Sequence, residues 1–246
     1  MIQPYYQDDK AGITIYHGDC RDILPQLQPV DLVLTDPPYG IGIASKHLGE
    51  GRSTGIASTR MIYGGWDAAR SETTTIGMIR KGSTAQIIWG GNYYADILPP
   101  SQCWLIWDKR DGLPIRSYAD AELAWTSFDK ATRLFANRWD GFIREGGEGR
   151  NGHPTQKPLE LIKWCIELSE EPQTILDPFM GSGTTLRAAK DLGRKCIGIE
   201  IELKYCDIAI SRLQQEVLPL ELKPIEKRER DIDPSMLTGM TPLLNI

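Results

Sequence analysis

Residues 174 to 200 read TILDPFMGSGTTLRAAKDLGRKCIGIE, and no other stretch limits the fold as much. A short apolar run (174–178) meets a glycine loop. A helical pattern follows (184–193) and closes on a glycine, the usual helix stop. A second apolar run (195–200) then ends in an acid, Glu200. Strand, helix and strand in this order belong to an α/β sheet that is mostly parallel. The glycines let the backbone pass close to a ligand. Glu200 lies 19 residues after Gly181, the spacing at which a carboxylate reaches both hydroxyls of a ribose.

Two phosphate-binding readings fail by residue. A P-loop needs a lysine after its glycines, and Gly183 is followed by Thr184 and Thr185. A dinucleotide fingerprint needs a third glycine, and Leu186 stands there. With no diphosphate to cradle, a smaller nucleoside ligand is expected. The FxGxG of Phe179, Gly181 and Gly183, with Ser182 and Thr184 beside it, fits S-adenosylmethionine.

Five more runs rich in β-branched and aromatic residues read as strands: 13–19, 30–36, 84–91, 103–109 and 121–127. With the two above, seven are expected. Most are almost continuously apolar, which suits a sheet covered by helices on both faces. Helical patterns are expected at 20–27 (broken by Pro25), 158–169, opening with Pro158, and 202–217. Residues 1–218 are expected to form one domain. Its Gly-, Ser- and Thr-rich loop at 40–80 and a second loop at 128–152 are candidate insertions for DNA contact. Residues 219–246 are expected to be a loosely packed tail.

No apolar run reaches the ~20 residues of a membrane span, and the first residues carry no basic-then-apolar leader. The five cysteines are odd in number and form no CxxC pair, so reduced thiols, a cytoplasmic setting and no metal site are expected. The net charge of −5 argues mildly against a surface coated in nucleic-acid-binding charge. The balance is local, however: between Lys46 and Lys81 there are six basic residues against three acidic ones.

A second motif needs explaining. Residues 34–40, LTDPPYG, end an apolar strand on an acid, two prolines and a tyrosine. Neither proline can extend a ladder, so they lock a turn just beyond the strand. Asp36 and Tyr39 are thereby held stiffly at the edge of the sheet. The exocyclic amine of a nucleobase is a poor nucleophile, because its lone pair is delocalised into the ring. Acceptors for its two hydrogens would pull the nitrogen toward tetrahedral geometry. The Asp36 carboxylate and the Pro37 carbonyl can both accept, and Pro38 helps fix that geometry. Tyr39 offers a face for a flipped base. Upstream of the glycine segment, HPTQKP (153–158) would set Thr155, Gln156 and Lys157 at a helix N-terminus, where a free carboxylate is well placed.

Taken together, HGDC (17–20), TDPPYG (35–40), HPTQKP (153–158), DPFMGSGTT (177–185) and GIE (198–200) resemble the motifs of the beta-class amino DNA methyltransferases, the adenine N6 and cytosine N4 group. The likeness covers about residues 13 to 213, with the catalytic motif first and the cofactor motif last. It implies a Rossmann-like, seven-stranded S-adenosylmethionine-dependent methyltransferase fold, a mixed but mostly parallel sheet in permuted motif order. It implies Asp36, Pro37, Pro38 and Tyr39 as the catalytic turn. Asp19 and Cys20 would lie near the adenine of S-adenosylmethionine. Phe179, Gly181, Ser182, Gly183 and Thr184 would line its loop, Glu200 would hold its ribose, and His153, Pro154, Thr155, Gln156 and Lys157 would lie near its methionine end. Aspartate at position 36 is typical of adenine methylation, whereas cytosine N4 enzymes more often carry serine there.

Double-stranded DNA is the implied partner. A homodimer and a cognate restriction endonuclease agree with the resemblance, and a membrane partner does not. Arg52, Arg60, Trp66, Arg133, Arg138 and Arg144 are candidates for DNA contact, as are Arg70 and Arg150. Only about twenty-five residues, Phe128 to Gly152, remain for target recognition before HPTQKP. Cytosine N4 methylation, an RNA or protein acceptor, and a DNA-binding regulator without turnover are the competing readings.

Overall fold

The computed structural model describes residues 2–40, 69–110, 119–138 and 156–215. The chain divides into two units, Met1–Gln215 and Glu216–Ile246, and the second lies outside the described residues. In chain order the first unit contains β1 (Tyr6–Asp8), β2 (Ile13–His17), α1 (Cys20–Ile23), β3 (Val30–Thr35), α2 (Thr73–Lys81), β4 (Ser83–Trp89), β5 (Trp104–Asp108), β6 (Ala121–Thr126), β7 (Arg133–Ala136), α3 (Leu159–Leu168), β8 (Thr174–Asp177), α4 (Thr184–Asp191), β9 (Lys195–Glu200) and α5 (Leu203–Gln214).

The strands form one sheet in the order β1-β2-β9-β8-β3-β4-β6-β5-β7. From β2 to β4 every pairing is parallel; β6 then runs antiparallel to both β4 and β5, and β1 antiparallel to β2. The fold is α/β with a mixed, mostly parallel sheet. All seven expected strands are present, but the sheet of the described residues has nine. The two additional strands, YQD and RLFA, are three and four residues long and lie at opposite edges. An edge strand pairs on one side only and needs no apolar run, so neither left a signal.

Both faces are covered, as the apolar runs require. Leu32 and Leu34 of β3 point to one face, in a core with Leu161, Ile162 and Cys165 of α3, Leu186 and Ala189 of α4, and Ala209 and Leu213 of α5. Val33 between them points to the other, with Ile23 of α1 and Ile76 and Ile79 of α2. Leu32, Val33 and Leu34 are all fully buried, and each such side chain is worth about 1.5–3 kcal/mol.

Helix α2 falls inside the segment expected to be loop. Its sequence, TTTIGMIRK, has three threonines and a glycine, all weak helix formers. Burial of Ile76 and Ile79, one turn apart, outweighs that propensity. At 20–27 Pro25 does end the α-helix: α1 stops at Ile23 and a 3-10 turn covers Leu24–Gln26.

The topology also fixes where a site can form. From β3 the chain crosses by way of α2 to β4, toward the β7 edge; from β8 it crosses by way of α4 to β9, toward the β1 edge. Strands β8 and β3 are neighbours, with Leu32 opposite Ile175 and Val33 opposite Leu176. The crossovers therefore part between them. This switch point leaves a crevice at the carboxyl ends of the strands, where open α/β sheets bind ligands.

Candidate active site

Four sequence motifs leave the carboxyl ends of four consecutive strands. Asp19 and Cys20 follow β2, Glu200 ends β9, the glycine loop follows β8, and Asp36 to Tyr39 follow β3. His17 is opposite Glu200 in the register, and the Gly18 N–H donates to the Glu200 carbonyl at 2.9 Å. Motifs scattered over some 180 residues of sequence thus share one edge of the sheet.

On the glycine side, the Glu200 carboxylate accepts from the backbone N–H of Gly181 and from that of Glu202, both at 2.9 Å. Burial pushes its pKa up, and those two hydrogen bonds oppose the shift. Each oxygen keeps a free lone pair, so the carboxylate can still accept from two hydroxyls. Gly183 takes a φ of 77°, and a Cβ there would come within 2.7 Å of the Ala209 Cβ, so glycine lets α4 start against α5. Asp19 caps α1 by accepting from the Arg21 N–H at 2.8 Å, and the Arg21 guanidinium holds its pKa down. The neighbouring Cys20 thiol is buried and pushed up to about 12, so it is unreactive.

Ser182 and Thr184 are buried, and their hydroxyls are engaged from α5. Arg212 of α5, itself buried, donates to the Ser182 carbonyl at 2.6 Å and to the hydroxyls of Ser182 and Thr184 at 3.1 Å. A buried arginine tying a helix to a glycine loop has no local sequence signature.

On the proline side, the turn is pinned from several directions. The Pro38 carbonyl accepts from the Tyr94 hydroxyl and from the Ser71 N–H at 3.2 Å. Tyr39 stacks on Tyr93, with ring centroids 4.8 Å apart and planes 18° apart. Its hydroxyl donates to Asp36 Oδ1. Burial and the nearby Asp36 and Glu122 charges push the Tyr39 phenol well above its ordinary pKa, so it remains a neutral donor. Arg70, a candidate for DNA contact, is already engaged: it pairs with Asp96 at 2.6 Å and donates to the Tyr93 carbonyl at 2.9 Å.

Lys157 joins Asp36 across 121 residues, its buried ammonium resting on Asp36 Oδ2. The resemblance puts Lys157 near a methionine moiety; in the structure its ammonium contacts Asp36 of the proline turn. It also lies 3.3 Å from Glu122 Oε2 and 5.3 Å from the centre of the Trp89 ring. Burial alone would lower its pKa, but Asp36 and Glu122 overcome this and raise it. The other Glu122 oxygen pairs with Lys109. Sequence reasoning missed Glu122 and Lys109, because a single acid in an apolar strand and a lysine after another resemble ordinary strand ends.

Of the remaining candidates, Gln156 is buried immediately before α3, and Arg133 is exposed on the edge strand β7. Arg138 closes its described segment. Arg52, Arg60, Trp66, Arg144, Arg150, His153, Pro154 and Thr155 lie outside the described residues.

The switch point thus has the Glu200 carboxylate on one side and the proline-locked Asp36 carboxylate on the other. Residues 92–211 match the profile of the N6 and N4 methyltransferase family, described as DNA methylase. The Type II methyltransferase M2.MboI of Moraxella bovis is 28% identical over 268 residues, covering 93% of this chain and 95% of its own. M2.LlaDCHI of Lactococcus lactis subsp. cremoris, also a Type II methyltransferase, is 26% identical over 260 residues, covering 87% and 93%. The crystal structure of the M1.HpyAVI–SAM complex superposes with a TM-score of 0.54 at 25% identity, covering 82% of this chain and all of the other. The cytosine-N4-specific PvuII DNA methyltransferase shares the fold, with a TM-score of 0.59 at 17% identity, over 88% of this chain and 91% of its own. The family profile and the Type II relatives support an N6-adenine/N4-cytosine amino DNA methyltransferase of the beta class.

Proposed function

We propose that the protein transfers a methyl group from S-adenosylmethionine to N6 of adenine in double-stranded DNA. The observation that carries this reading is the position of Asp36. Its carboxylate stands at the end of β3, directly beside the strand that launches the glycine loop. S-adenosylmethionine, the ligand of the solved M1.HpyAVI complex, supplies when bound a methyl on cationic sulfur, which an amine attacks in line without a covalent enzyme intermediate. The free lone pairs of Glu200 suit two ribose hydroxyls, and the positive φ of Gly181 and Gly183 keeps that loop close to the chain.

The rest is done by the chain's own residues. Asp36 and the Pro37 carbonyl accept the two hydrogens of the exocyclic amine and draw its lone pair out of the ring. Asp36 is then placed to receive the proton that the methylated nitrogen loses. Tyr39 gives the base a stacking face; its hydroxyl now holds an Asp36 oxygen that the amine would need, so it must swing away as the base enters. The aspartate at position 36 favours adenine over cytosine, by the family pattern noted above. The Type II relatives favour a restriction–modification setting.

The test uses purified protein, S-adenosylmethionine and methylation-free duplex DNA of mixed sequence, digested to nucleosides for mass spectrometry. The expected product is N6-methyldeoxyadenosine, absent with Asp36→Ala while cofactor affinity by calorimetry is kept. N4-methylcytosine would keep the mechanism and change the base. No methylated nucleoside from a folded, cofactor-binding protein would overturn the reading.

A further inference from the structure

Four charged side chains from four places in the fold meet behind the catalytic turn: Asp36 after β3, Lys109 after β5, Glu122 on β6 and Lys157 before α3. Two are cations and two are anions, so the cluster is neutral. Its arrangement is nevertheless lopsided. Lys109 contacts only Glu122 among these carboxylates, while Lys157 is shared between Glu122 and Asp36. Asp36 is therefore gripped on both oxygens, Oδ2 by the Lys157 ammonium and Oδ1 by the Tyr39 hydroxyl. A carboxylate held this firmly by an ammonium is a weak acceptor for a further N–H. Whatever draws the ammonium off Oδ2 makes Asp36 a better one.

We infer that Glu122 is a positioning residue for the methyl transfer: by sharing the Lys157 ammonium it fixes Asp36 through Oδ2, sets its acceptor strength, and leaves Oδ1 as the oxygen taken by the target amine. This rests on the function proposed above. Geometry supports the choice of oxygen. Lys157 is buried and held by two carboxylates and the Trp89 face, whereas Tyr39 is a half-buried ring stacked on an exposed Tyr93. The tyrosine is the partner able to leave. Burial would raise the Glu122 pKa, but Lys157 and Lys109 overcome that and lower it, so Glu122 stays anionic in the working range. The other ionisable groups whose charge bears on this cluster are Tyr39 and Tyr94, Asp177 at the end of β8 and Cys165 on α3.

Removing Glu122 and removing Lys109 should push the cluster in opposite directions, which a merely structural role would not do. In Glu122→Gln an anion is lost and Lys157 closes on Asp36 alone. Turnover is expected to fall by about 10- to 100-fold, the scale of a misplaced catalytic group, with cofactor affinity within about threefold of wild type. The acid limb of the kcat–pH profile is expected to move to lower pH by roughly half a unit or more. In Lys109→Met a cation is lost and Glu122 draws Lys157 toward itself, so the same limb is expected to move to higher pH. Glu122→Asp should recover part of the lost turnover.

The measurement is the kcat–pH profile of all four proteins on duplex DNA, with melting curves and cofactor calorimetry on each. Limbs that do not move, or that move the same way in both variants, overturn the inference. So does a Glu122→Gln protein that loses cofactor affinity in step with turnover. If Glu122→Gln fails to fold, the Lys109→Met limb and the Glu122→Asp recovery decide alone. A wild-type protein that makes no methylated DNA base sinks the proposed function and this inference with it; active wild type with unmoved limbs sinks only the inference.

Discussion

Gly90 follows β4 and takes a φ of 66°, a left-handed conformation that only glycine adopts freely. A Cβ there would overlap the ring of Tyr39. The glycine thus leaves room for the Tyr39 ring, which also stacks on Tyr93. Gly90→Ala combines a strained backbone with displacement of that ring, and we expect a loss of about 2 kcal/mol in urea unfolding. Turnover should fall with it, while cofactor affinity, which the proposed function sets three strands away at the end of β9, should hold. Equal loss of both would mean that the substitution disturbs the whole edge of the sheet instead of the tyrosine.

At the scale of elements, the glycine loop is held from behind. Arg212 reaches from α5 to bind the Ser182 carbonyl and two hydroxyls, and Arg187 of α4 donates to the Arg212 carbonyl at 2.9 Å. Arg212→Met keeps the volume and removes the fork. It strands a buried carbonyl, which costs about 1–3 kcal/mol, and frees the loop that the proposed function places against the cofactor. Urea unfolding and cofactor calorimetry should therefore both weaken; a variant with full cofactor affinity would detach α5 from loop positioning. The contrast with the motifs is physical. Strands β2, β3, β4, β8 and β9 could be read because burial on both faces demands apolar runs, and the glycine loop because backbone approach demands glycine. Helix α2 could not be, since only its packing makes it helical. Nor could the partners Arg212, Glu122 and Lys109: a side chain chosen to satisfy a charge far away in sequence leaves no local pattern. Lys157 was legible as part of a motif, but its contact with Asp36 exists only once β3 and the start of α3 are brought together.

For the molecule as a whole, the seam between β8 and β3 joins the half that carries the glycine loop to the half that carries the proline turn, and Asp177 is its buried stitch. Its Oδ1 accepts from the Thr35 hydroxyl at 2.8 Å and from the Phe179 N–H at 3.2 Å, and its Oδ2 accepts from the Thr185 hydroxyl at 2.6 Å. These bonds favour the charged form, but burial outweighs them and pushes the pKa up to about 6. In the unfolded chain an aspartate titrates near 3.9. The folded state therefore binds this proton more tightly than the unfolded state does. Above pH 6 both states are charged, and the fold bears the full cost of burying the charge. As pH falls through 6 toward 4 the folded state takes up the proton first, and this group's contribution to stability improves; below that window it is constant. Asp177→Asn keeps an acceptor for Thr35 and has no charge to bury. Its stability relative to wild type should therefore be better at pH 8 than at pH 5, by on the order of 2 kcal/mol in urea unfolding. A difference that is the same at both pH values would mean that the seam tolerates its charge through the three hydrogen bonds, and that the pH dependence of the fold arises elsewhere.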